Sequence, residues 1–177
     1  MSNVDGIRRA IVLLAAAALA APALAHGPTR QKVVESIEIA APPEKVWALV
    51  GDFAGWQKWH PAIEDSTADK GNAIGSQRRL KIKGGKFLDE RLESYDAGTM
   101  TIKYRITGGD ALPVTNYSSN ITISKKNDGS TIVWQGAFYR GYPNNDPPPD
   151  QNDEAAIAAV TGVYKTGLGN LKAVAER

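Results

Sequence analysis

Cysteine is absent from the 177 residues. Disulfides and thiol chemistry are therefore excluded, and packing alone must hold the fold. Histidine is nearly absent too. A copper site built on His26 would need further ligands, and His60 is the only other imidazole. Neither sign of charge is in excess. Lys and Arg number 21 against 19 Asp and Glu, a net +2, which gives no electrostatic case for nucleic acid. No repeat or low-complexity tract appears. The main apolar run, Ile11 to Ala21, is too short for an ordinary membrane span.

That run instead reads as part of a targeting segment. Arg8 and Arg9 precede it, and Ala23-Leu24-Ala25 is the small-x-small pattern of a signal-peptidase site. Residues 1–25 are expected to be a signal peptide for the general secretory route. Residues 26–177 are expected to form one domain, with no membrane span once the signal is cleaved. Cleavage removes Asp5, Arg8 and Arg9 and lowers the net charge by one.

The stretch Asp153 to Glu176 organises what remains. Ile157, Val160, Tyr164, Leu168, Leu171 and Val174 recur at steps of three and four, one stripe of a helix roughly 36 Å long. Asn152 or Asp153 suits its start. The rest reads as short strands. Gln31 to Ala40 comes first, then a two-turn helix opened by Pro42-Pro43 and ending near Gly51. After an aromatic-rich irregular segment come strands at 63–66, 76–83, 87–95, 99–106, 117–124 and 130–139. Gly84-Gly85 and Asn127-Asp128-Gly129 supply turns. Seven strands and a long terminal helix make an α+β domain with a curved antiparallel sheet.

Alternation gives the inward faces. Leu80 shares a face with Arg78, and Leu88 and Leu92 share one with Glu90. If Leu80 lies opposite Leu88, Arg78 falls opposite Glu90, which places an ion pair on a mostly apolar face. Such a pair either serves structure or orients something polar in a cavity.

Several motifs continue in one order. Val33 to Ala40 and Pro42-Pro43-Glu44-Lys45-Val46-Trp47 are followed by Asp52-Phe53, Trp56 and Trp59-His60-Pro61. Glu90-Arg91-Leu92, Tyr95-Asp96, Tyr104-Arg105-Ile106, Pro113 with Tyr117, and Thr131 to Trp134 come after them. This series resembles the START-like superfamily, also called the polyketide cyclase/dehydrase and lipid-transport or Bet v 1-like group. The resemblance implies a helix-grip fold, a curved sheet wrapped on the terminal helix. Trp59-His60-Pro61 and the Tyr142 to Pro148 loop look most like the MxaD group of periplasmic accessory proteins. That likeness implies a helper for contact between PQQ-dependent methanol dehydrogenase and its cytochrome c.

The cavity of such a domain is expected to involve Phe53, Trp56, Trp59, His60, Arg78, Glu90, Tyr104, Tyr117, Trp134, Phe138 and Tyr164. For the aromatics the plainer alternative is core packing. For Arg78 and Glu90 it is a structural ion pair. Asp146, Asp150, Asp153 and Glu154 match no calcium loop and read as a solvated segment. No nucleophile–base spacing and no acid/base pair of carboxylates is visible. The expectation is a non-enzymatic protein without cofactor or metal. The alternatives are a carrier of a small hydrophobic or amphipathic ligand and, less supported, a cyclase or hydrolase. Gly162, Gly167 and Gly169 in the last helix read either as close-approach points or as surface positions.

Overall fold

The computed structural model describes residues 27–177; the signal-peptide segment and His26 lie outside them. Strand β1 (Gln31–Ile39) leads into helix α1 (Pro43–Val50) and a 3₁₀ turn at Trp56–Lys58. Then come β2 (Ile63–Ala68), β3 (Gln77–Ile82), β4 (Phe87–Asp96), β5 (Thr101–Gly109), β6 (Val114–Lys126) and β7 (Gly129–Arg140). Helix α2 (Asp153–Ala175) ends the fold. The strands form a single antiparallel sheet in the order β1-β7-β6-β5-β4-β3-β2. It is the helix-grip arrangement expected, with the strand count and the long terminal helix in place.

Local sequence explains the ends. Pro42 and Pro43 open α1 where a missing N–H costs nothing, and the Gly51 N–H closes it on the Trp47 carbonyl. Asn152 caps α2, its Oδ1 accepting from the Ala155 N–H at 2.7 Å. Gly84 and Gly85, at φ of +95° and +89°, turn β3 into β4. The β6 strand begins earlier than alternation suggests. A bulge between Thr115 and Ser118, with Asn116 at φ +51°, interrupts its period.

The stripe of α2 is slightly rotated from the expected one. Ala156, Val160, Tyr164, Gly167, Leu168, Leu171 and Ala175 are buried, while Ile157 and Val174 are only partly so. Small residues sit where the helix backbone approaches the sheet, and apolarity alone does not reveal them. Among the described residues no helix is long and apolar enough to cross a membrane.

The loop between β7 and α2 is tied down by a buried cation. Arg140 Nε donates to the Tyr142 carbonyl at 3.0 Å and Nη2 to the Asn144 carbonyl at 2.9 Å. Nη1 lies 3.4 Å from Asp153 Oδ1 in the first turn of α2. Three contacts from one guanidinium give this exposed loop a fixed path. Among the described residues no cluster of three or more His, Asp or Glu could hold a metal ion.

Candidate functional site

The register places Arg78 opposite Glu90 and Leu80 opposite Leu88. Arg78 Nε donates to Glu90 Oε2 at 2.6 Å, and Nη1 donates to the Phe53 carbonyl at 2.8 Å. Nη2 is also 2.6 Å from Oε2, yet its N–H is not directed at that oxygen. Both residues are almost wholly buried. Aromatic faces enclose the guanidinium, with the Trp56 ring centre at 3.7 Å, Phe53 at 4.1 Å and Tyr104 at 5.2 Å. Burial raises the Glu90 carboxyl above its ordinary range, and Arg78 only partly offsets this.

A cavity of about 80 Å³ lies beside Glu90. Trp56, His60, Glu90, Tyr104, Tyr117 and Trp134 form its deep side, as do Ile63, Leu80 and Leu88. Ala62, Ile82, Ile106, Ala111, Leu112 and Val163 are half-buried and line its outer, partly open side. The remaining five candidates stand behind this wall. Phe53 and Arg78 are a layer back, and Trp59 packs on Trp56 at 5.0 Å with its indole N–H unpartnered. Phe138 stacks near Tyr117, and Tyr164 stacks on Trp134 at 4.3 Å.

A hydroxyl chain runs along the same side of the core. Ser119 Oγ donates to the Gln135 carbonyl at 2.8 Å, which uses its only proton. Tyr164 must therefore donate to Ser119, at 3.0 Å, and Tyr117 to Tyr164, at 2.6 Å. Trp134 Nε1 divides its proton between Ser119 Oγ and the Tyr104 hydroxyl oxygen, each at 3.0 Å. Gly136 leaves the space that the Tyr164 hydroxyl occupies. Burial pushes the Tyr164 phenol up to about 12, and Tyr104 and Tyr117 also rise well above their ordinary value.

His60 is held between two backbone groups. Nδ1 accepts from the Ala62 N–H at 3.3 Å, so Nε2 carries the proton given to the Val163 carbonyl at 3.2 Å. Burial pushes the imidazole down to about 4; the Arg78 charge adds to this, and the Val163 hydrogen bond opposes it. A histidine lowered on folding takes its proton first in the unfolded chain. Its contribution is therefore complete above pH 6.5 and is lost as pH falls toward 4, on the order of 3 kcal/mol in total. Glu90 shifts the opposite way, so the ring itself is the direct readout. An NMR titration is expected to find His60 neutral down to about pH 4. A midpoint near 6.5 would contradict the buried, singly protonated ring.

Sequence reasoning missed Ser119, Gly136 and the rim at Ala111 and Leu112. Ser119 carries a signal: it lies between Tyr117 and Ile121 on the inward face, a small polar group among large apolar ones.

Residues 30–176 match the family described as polyketide cyclase/dehydrase and lipid transport. XoxI from Bacillus cereus superposes with a TM-score of 0.68 at 30% identity, over 80% of this chain and 93% of that one. A putative uncharacterised protein from Bacillus thuringiensis gives 0.68 and 30%, over 81% and 97%. Ara h 8.0201 shares the fold, with a TM-score of 0.60 at 19% identity over 82% and 99%. MLP-like protein 423 of Arabidopsis thaliana is 30% identical over 123 residues, 63% of this chain and 78% of that protein.

Proposed function

Since the chain belongs to the polyketide cyclase/dehydrase and lipid transport family of START-like proteins, we propose that it is a binding protein that holds a small, mainly apolar molecule without transforming it. The observation that carries this reading is the cavity, with apolar walls around one carboxylate oxygen that no described protein group satisfies. The groups around it favour holding over turnover. His60 is neutral with both nitrogens engaged, and the hydroxyl protons of Tyr117, Tyr164 and Ser119 run inward to a carbonyl. At about 80 Å³ the space is smaller than the roughly 300–1,000 Å³ of common ligand pockets, which disfavours a lipid or polyketide guest.

The proposed setting is the periplasm. Residues 1–25 export the protein to the periplasm, where it assists PQQ-dependent methanol dehydrogenase and its cytochrome c. Support comes from the Trp59-His60-Pro61 and Tyr142 to Pro148 resemblance to the MxaD group. The loop anchored by Arg140 offers a pre-ordered exposed surface for such contacts. Adding the mature protein to the purified dehydrogenase and cytochrome is expected to change the rate of cytochrome reduction. No effect across a range of stoichiometries would remove the accessory role. Native mass spectrometry of protein from its own host is expected to show a retained small molecule.

A further inference from the structure

The polar groups that face the cavity define what it can hold, given the binding reading above. Glu90 is 3% exposed, and both of its short Arg78 contacts fall on Oε2. Oε1 accepts no hydrogen bond from a described residue, and Glu90 lines the cavity. One acceptor therefore waits for a donor. Tyr104 is 1% exposed, and its oxygen accepts from Trp134 Nε1. Ser119 stands near its hydroxyl, but that Oγ already accepts from Tyr164 and Trp134, so one donor waits for an acceptor. The two residues are diagonal neighbours on one sheet face, since Glu90 lies opposite Ile106 and Leu92 opposite Tyr104. Their heads can meet the same end of a guest.

Charge and shape narrow the guest further. Arg78 already balances Glu90, so a charged guest would bring an uncompensated charge among apolar walls. An ether or ketone accepts but cannot donate, which leaves Oε1 bare. A carboxamide brings two N–H donors to a single free acceptor. A hydroxyl donates once and accepts, matching both groups. We infer that the cavity takes a neutral hydroxyl compound of roughly four to six heavy atoms, its O–H given to Glu90 Oε1 and its oxygen receiving the Tyr104 proton. Its alkyl part lies against Leu80, Leu88 and Ile106.

The test uses 1-butanol on the isotope-labelled mature protein, with butyrate, butylammonium and diethyl ether as matched probes. NMR titration is expected to give saturable shifts and intermolecular contacts to Leu88, Ile106 and Tyr104 with the alcohol. The two ions and the ether are expected to bind at least about tenfold more weakly, the worth of a satisfied buried group. Tyr104→Phe is expected to weaken butanol about tenfold. Trp134 keeps Ser119 as an acceptor in that variant, and thermal unfolding checks that it folds. Equal affinity for ether and alcohol, tight binding of either ion, or butanol affinity untouched in a folded Tyr104→Phe would overturn the hydroxyl assignment while leaving a binding protein. If none of the four probes saturates and only water protons contact the cavity residues, the binding reading falls as well. The wild-type comparison stands even if Tyr104→Phe does not fold.

Discussion

Arg78→Met is expected to cost about 3–5 kcal/mol of folding free energy at pH 7, the largest effect of any single change proposed for this domain. The substitution keeps most of the side-chain volume between Phe53, Trp56 and Tyr104. What it removes is the charge opposite a carboxylate that is 3% exposed. It also strips the Phe53 carbonyl of its donor. The loss should shrink as the solution is acidified. Glu90 is raised in the folded state, so the native protein holds a proton where the unfolded chain has lost it. Stability from that group is present below the unfolded value near 4.5 and is lost as pH rises through the folded value. Removing Arg78 widens this window upward. Urea unfolding at pH 7 and pH 5 measures both effects. The double change Arg78→Met with Glu90→Leu should recover much of the loss, because an apolar pair of similar volume leaves no buried charge. A single-variant cost under about 1 kcal/mol would mean that water reaches the pair.

The second large effect separates three glycines of one helix by sign. A Cβ at position 167 would stand 2.5 Å from His60 Cδ2, 2.8 Å from Nε2 and 3.0 Å from Trp134 Cζ3. Neither ring can retreat. His60 is pinned at both nitrogens, and Trp134 is stacked on Tyr164. Gly167→Ala is therefore expected to destabilise by about 1–3 kcal/mol despite alanine's better helix propensity. Gly162 and Gly169 have no atoms within 4 Å of the corresponding site. Alanine there should stabilise by roughly 0.5–1 kcal/mol each. Thermal melts of the three variants give the answer. The same sign for all three would refute the packing described around His60.

The contrast also marks what a sequence can disclose. The Arg78–Glu90 pairing is legible because alternation and a Gly-Gly turn set the register of a hairpin, and both signals are local. That Gly167 is a contact point for His60 is not legible. The two lie far apart along the chain, and three helix glycines look alike until the sheet is in place. The α2 stripe shows the same limit, with Ile157 less buried than Ala156 because contact favours the smaller residue. Ala111 and Leu112 escape for another reason: they lie on a connection between strands, where no period assigns a face. Among the aromatic candidates the sequence identified burial but could not order the layers, so Trp56 meets the cavity while Trp59 stands behind it.

The sheet has one further consequence, for the order in which the molecule can be made. Among the described residues its first strand pairs only with its last, and the end of β1 is laced to the end of α2 where the Ala40 N–H meets Glu176 Oε1 and Lys172 Nζ meets the Glu38 carbonyl. A nascent chain emerging from its synthesis machinery therefore cannot close early. Until β7 appears β1 has no neighbour, and until α2 appears it has no cover; long-range closure of this kind is slow. While β1 waits it is an open strand edge, so the growing chain is exposed to mispairing until β7 emerges.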